Sequence, residues 1–250
     1  MGESMTKMRL VTKLGAVSAI ALLVGAAGAS AATLTINSVT GAWSNAVANP
    51  AGGTITIDNG TGVGDNTVSA RWGDPVDSSG PQSGYDFTGA APPSFDATDG
   101  VNFTLGDFVH LNFPIFSPSL ASIDLDVTVN VAGYGDITSK FSFTHEETPN
   151  DGSCPIGSVS DCDDIVTATL NVGASDTFMI GSTKYVFDIQ GFLFNGSLLD
   201  TFLTAEGQEN TAQLIGSFRA VAPVPLPAAG WLMVAGLGGL GALRRKKKAA

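Results

Sequence analysis

The chain has 250 residues and a formal charge of −11. With its two ends set apart, about 190 residues remain, enough for one domain with a full core. That middle keeps four basic residues, Arg71, Lys140, Lys184 and Arg219, against 22 of the 23 acidic ones, a balance of −18, which repels phosphate and excludes nucleic acid as a partner.

Residues 1–31 read as a secretory signal peptide. Lys7, Arg9 and Lys13 supply a positive start, and residues 14–28 are an apolar run of small and aliphatic side chains. Ala29-Ser30-Ala31 has the small-x-small pattern of a cleavage site, which makes Ala31 and Ala32 the flanking residues and Ala32 the mature N-terminus. The run falls short of the ~20 residues that a membrane span needs.

The middle is β-rich by pattern. Alternation, or enrichment in β-branched and aromatic residues, marks 33–39, 54–57, 67–72, 103–110, 123–131, 137–145, 165–170, 177–180, 184–194, 197–204 and 211–221. Residues 123–131 are the cleanest case, with an apolar side chain at every second position. Gly, Pro, Asn, Asp and Ser separate these runs, and residues 60–65 read as a hairpin turn. Residues 73–93 read as a long Gly/Pro-rich surface loop, ordered or mobile. The expected fold is all-β: an antiparallel β-sandwich, jelly-roll-like, over residues 32–222. It is flanked by the signal helix and, over 223–250, by a C-terminal segment with a transmembrane helix.

Several side chains carry candidate chemistry. Cys154 and Cys162 are an even pair at short range and fit one disulfide in an oxidising compartment. Glu146, Glu147, Asp151, Asp161, Asp163 and Asp164 cluster around it. Hard oxygen ligands on a pinned loop suit Ca²⁺, and the alternative is a solvated acidic loop. The two histidines, His110 and His145, each end an expected strand. With Glu146 or Glu147 they offer a transition-metal set, the alternative being hydrogen-bonding structural residues. Trp43, Trp72 and Tyr85, if exposed on one face, would stack on sugar rings; the alternative is a place in the core, where the 14 Phe residues are expected. No nucleophile, metalloprotease or phosphate-loop motif is present, so no catalytic residue is assigned and the expectation is a non-enzyme.

Four segments come in order: Arg71-Trp72-Gly73-Asp74-Pro75, Ser83-Gly84-Tyr85-Asp86-Phe87, residues 105–115 (LGDFVHLNFPI) and residues 143–150 (FTHEETPN), with Asp163-Asp164-Ile165-Val166 after them. Together they resemble the bacterial choice-of-anchor K domain. That resemblance implies surface display and no assigned activity.

The C-terminus carries Val224, Pro225, Leu226, Pro227 and Ala228, an uncharged run over 229–243, and then Arg244, Arg245, Lys246, Lys247 and Lys248. At ~1.5 Å per residue the sixteen residues from Ala228 span roughly 24 Å, short of a ~30 Å core, and the basic cluster stays cytoplasmic by the positive-inside rule. This tail resembles the PEP-CTERM sorting signals in their VPLPA-type variant, with Leu226 where the founding form has Glu. The signal peptide implies export by the Sec machinery and cleavage by signal peptidase; the resemblance implies transient anchoring in the inner membrane and processing by an exosortase. The product would be a cell-surface or extracellular (biofilm) matrix protein with a structural or adhesive role. The second expectation is a calcium-dependent module binding exopolysaccharide.

Overall fold

The computed structural model describes residues 31–60, 66–90, 93–148, 154, 156–160 and 162–221. In chain order the strands begin with β1 (Thr33–Asn49), β2 (Thr56–Asp58), β3 (Thr67–Trp72), β4 (Asp74–Pro75), β5 (Ser83–Gly89) and β6 (Phe95–Thr98). Next come β7 (Phe103–Asn112), β8 (Ile115–Phe116), β9 (Ser119–Val131), β10 (Gly135–Glu146) and β11 (Asp164–Leu170). A 3₁₀ turn, Val172–Ala174, leads to β12 (Phe178–Ile180), β13 (Thr183–Phe194), β14 (Ser197–Leu199), β15 (Thr201–Thr204) and β16 (Gln208–Ala220).

The strands form two large antiparallel sheets and one small one. The six-stranded sheet has the order β15-β11-β10-β9-β1-β6. The eight-stranded sheet runs β12-β13-β16-β7-β5-β3-β2, with β14 added to β13, and β4 pairs with β8 separately. Alternation explains the faces. Along β9, Ile123, Leu125, Val127, Val129 and Val131 are buried while Asp124, Asp126, Thr128 and Asn130 between them are half-buried. The outer row is paired: Lys140 Nζ lies 2.6 Å from Asp126 and 3.8 Å from Asp124. The inner rows of both sheets share one core. Phe143 of β10 stacks on Phe108 of β7 at 5.5 Å, and Trp43 of β1 meets Tyr85 of β5 at 5.9 Å.

Asn side chains stitch the sheets at one edge. Asn66 Nδ2 donates to the carbonyls of Val39 and Gly89, and Asn59 donates to and accepts from the backbone of Trp43. Gly89 is required there by space, because a Cβ would strike the Val39 carbonyl oxygen.

Three sequence expectations change. Residues 73–93 contain β5, a strand in the middle of the eight-stranded sheet between β3 and β7, with Tyr85 and Phe87 fully buried. The expected strand 197–204 divides at Asp200: β14 pairs with β13 in one sheet and β15 with β11 in the other. Phe116 is the one Phe of the 14 that lies exposed. The hairpin reading of 60–65 has its flanks in place, since β2 and β3 pair antiparallel, but 61–65 lie outside the described residues. Among the described residues no helix is long and apolar enough to cross a membrane. The signal segment up to Ser30, the sorting motif Val224–Ala228 and the transmembrane run lie outside them.

Candidate metal centre

The inward row of β7 reads Phe108, His110, Asn112, and that of β10 reads Phe141, Phe143, His145. In each strand a His occupies the next core-facing position after buried aromatics. The two strands belong to opposite sheets, so the rings meet across the core with centroids 5.1 Å apart and nearly perpendicular. Asp164 opens β11 in the same inward phase as Val166 and is fully buried. The ligand atoms of His110, His145 and Asp164 all lie within 4.8 Å of one another. Glu147, just after β10, and Glu206, between β15 and β16, form a second such group with Asp164 on the half-buried side.

Hydrogen bonds orient these groups. Thr204 Oγ1 donates its single proton to the Asp164 carbonyl oxygen at 3.3 Å. In that arrangement it accepts from Nδ1–H of His110, 2.7 Å away. This leaves the His110 Nε2 lone pair facing inward, buried, with no hydrogen-bond partner among the described residues. His145 Nδ1 lies 2.7 Å from the Tyr85 hydroxyl, and its Nε2 lies 3.4 Å from Glu147 and 3.8 Å from Asp164 Oδ2. Asp164 Oδ1 accepts from the Thr148 amide at 2.9 Å and lies 3.2 Å from the Thr148 hydroxyl, whose one proton it shares with the Cys162 carbonyl. Oδ2 has no such donor among the described residues.

The electrostatics follow from this burial. Asp164 is pushed up to about 8, first by desolvation, then by the Glu147 charge, with Glu206 adding to it against the Thr148 bonds. Burial holds His110 well below the ordinary histidine range, and the His145 ring adds to the effect. Burial likewise raises the Tyr85 hydroxyl, followed by the charges of Asp164 and Glu147.

The expected site residues are redistributed. Among the described members of the six acidic residues grouped around the disulfide, only Glu147 and Asp164 share a cluster. Glu146 is exposed, one residue out of phase with His145. Asp163 is buried, but its carboxylate accepts from the amides of Val159 and Ser160, both at 3.0 Å, and so shapes the loop before β11. Asp151 and Asp161 lie outside the described residues. Cys154 and Cys162 are disulfide-bonded, and the Cys162 carbonyl accepts from Thr148 Oγ1 at 2.8 Å. The bridge thus holds the strand start that carries Asp164.

Trp43, Trp72 and Tyr85 are buried and offer no stacking platform. Trp72 and Tyr85 instead wall the His pair, with the Trp72 ring 5.4 Å from His145 and the Tyr85 ring 5.0 Å from His110. Sequence reasoning paired the histidines with Glu146 or Glu147 and missed Asp164 and Glu206 as members of this cluster.

No protein-family model matches the chain, and no curated protein matches it. The two resemblances therefore rest on the residues that carry them.

Proposed function

We propose that this is an exported protein of the cell surface or extracellular matrix. In this reading signal peptidase releases it at Ala31–Ala32 and an exosortase processes it at the C-terminal signal. Its role is structural or adhesive, with no catalytic step. The observation that carries the reading is the pairing of two terminal addresses: a signal-like segment before Ala32 and the Val224–Ala228 tail. The folded body fits between them. The Ala32 carbonyl accepts from the Asp99 amide, and the Val221 amide donates to Lys184, so the strands occupy the interval that both cuts would leave intact. The disulfide agrees with an oxidising destination. We read the two sheets as a jelly-roll-like sandwich with an added β9-β10-β11 meander. The buried rings of Trp43, Trp72 and Tyr85 leave the exopolysaccharide-binding reading without its stacking surface.

The test is to express the full chain in a bacterium with and without an exosortase of the matching tail class, and to weigh the product. The expected product begins at Ala32, loses the tail and leaves the membrane fraction only when the exosortase is present. Scrambling Val224–Ala228 should retain it in the membrane. A product of the same mass and location under all these conditions would overturn the reading.

A further inference from the structure

We propose that His110, His145 and Asp164 bind one divalent first-row transition ion, Zn²⁺ being the reference case, with Glu147 or Glu206 as a further ligand, and that this ion clamps the two sheets together.

The donor set selects this chemistry. Two imidazole nitrogens with one to three carboxylates match the nitrogen–oxygen sites of zinc and its neighbours. Calcium takes six to eight oxygens and gains nothing from imidazole. Geometry supplies the second argument. Ligands in a tetrahedral zinc shell lie about 3.4 Å apart, and His145 Nε2 and Asp164 Oδ2 are already at 3.8 Å.

The unpartnered atoms supply the third. Buried polar atoms are ordinarily hydrogen-bonded. Here His110 Nε2 and Asp164 Oδ2, on fully buried side chains, meet no hydrogen-bond partner among the described residues, and both belong to the same cluster. The outer partners are those a metal site uses to fix its ligands. In the tautomer where Thr204 Oγ1 accepts from Nδ1–H of His110, the ring presents its Nε2 lone pair. A metal on Nε2 of His145 places that ring's proton on Nδ1, facing the Tyr85 hydroxyl. Glu147 and Glu206, half-buried beside Asp164, add two carboxylates on the less buried side of the cluster.

The placement defines the role. His110 belongs to the eight-stranded sheet; His145 and Asp164 belong to the six-stranded one. The ion would bridge layers that are otherwise joined by side-chain packing and by hydrogen bonds such as Tyr85 to His145. This inference does not depend on the export reading, and its test is separate.

The full-length protein, purified without a polyhistidine tag and stripped with chelator, is titrated with Co²⁺ as a visible probe. A ligand-field absorption should grow and saturate at one ion per chain, and Zn²⁺ should displace it. Zn²⁺ should also raise the melting midpoint by several degrees, reversed by chelator, whereas Ca²⁺ should not. His110→Gln should abolish both effects, and the exposed Glu146→Gln should change neither. If His110→Gln does not fold, the ring nitrogens of the wild-type protein report instead: both Nε2 resonances must move on adding Zn²⁺. No absorption and no midpoint change in the wild type would overturn the proposal. So would an equal rise with Ca²⁺, or Nε2 resonances that stay in place.

Discussion

The hydroxyl of Tyr85, on the eight-stranded sheet, lies 2.7 Å from Nδ1 of His145, on the six-stranded sheet, and both residues are buried. One hydrogen bond thus joins the two layers beside the His pair. Tyr85→Phe keeps the ring and its packing and removes only this bond, leaving a buried nitrogen without its partner. The expected loss is about 1–3 kcal/mol of stability, read as a shift in denaturant midpoint. An unchanged midpoint would mean that the bond is replaced by water.

Asp164 titrates near 8, above its ordinary value of 3.8. The folded state therefore holds this proton more tightly than the unfolded chain does. Stability of the metal-free protein is greatest below about pH 4 as far as this group is concerned. It falls as pH rises to about 8, by at most ~1.4 kcal/mol per pH unit. Glu147, Glu206, His145 and Tyr85 face the same carboxylate and shape the slope. Below about pH 6.5 the depressed His110 opposes this slope, so thermal melts between about pH 6.5 and 8 should show the decline, and Asp164→Asn should flatten it. A wild-type profile as flat as the variant's would sink the prediction.

Gly89→Ala tests the seam between the sheets. The added methyl meets a backbone oxygen of Val39, which cannot rotate away. An overpacking cost of about 1–3 kcal/mol is expected, with the fold retained. Chemical denaturation of the variant measures it, and a cost near zero would show that β1 shifts freely at Val39.

Reduction of Cys154–Cys162 should lower stability by about 2–3 kcal/mol, from the entropy returned to the unfolded loop. Because Thr148 bonds both the Cys162 carbonyl and Asp164, reduction should also weaken Co²⁺ uptake. Equal uptake before and after reduction would separate the bridge from the cluster.

Much of the fold was legible because a half-buried strand writes its faces into alternate residues. Residues 123–131 show this, and so does 67–72, whose bounds coincide with β3. β5 was not legible. Its Ser83, Gly84, Asp86, Thr88 and Gly89 are turn-forming or small residues, and they form a strand because neighbouring backbones approach closely at Gly84 and Gly89. The split at Asp200 was hidden for another reason: both halves are short runs carrying large apolar side chains, and only pairing decides the sheet. In the candidate site, the phase of Phe141, Phe143 and His145 already separates an inward His145 from an outward Glu146. The phase of Asp164 with Val166 was equally readable. Glu206 was not, since it sits on a turn whose location depends on where β15 and β16 end.

β16, the last strand among the described residues, lies between β7 and β13 rather than at an edge. The eight-stranded sheet is therefore two separate pieces until residues 208–220 insert. Such pairing joins segments about 100 residues apart in sequence, as Thr211 with Val109 shows, and it is slow compared with local hairpins. For a chain delivered N-terminus first, the body cannot close until nearly all of it has arrived. Only three residues then separate the end of β16 at Ala220 from Val224. If the tail is the sorting signal proposed above, completion of the fold and its presentation are consecutive events on one stretch of chain, and a protein truncated before β16 would remain open and prone to degradation.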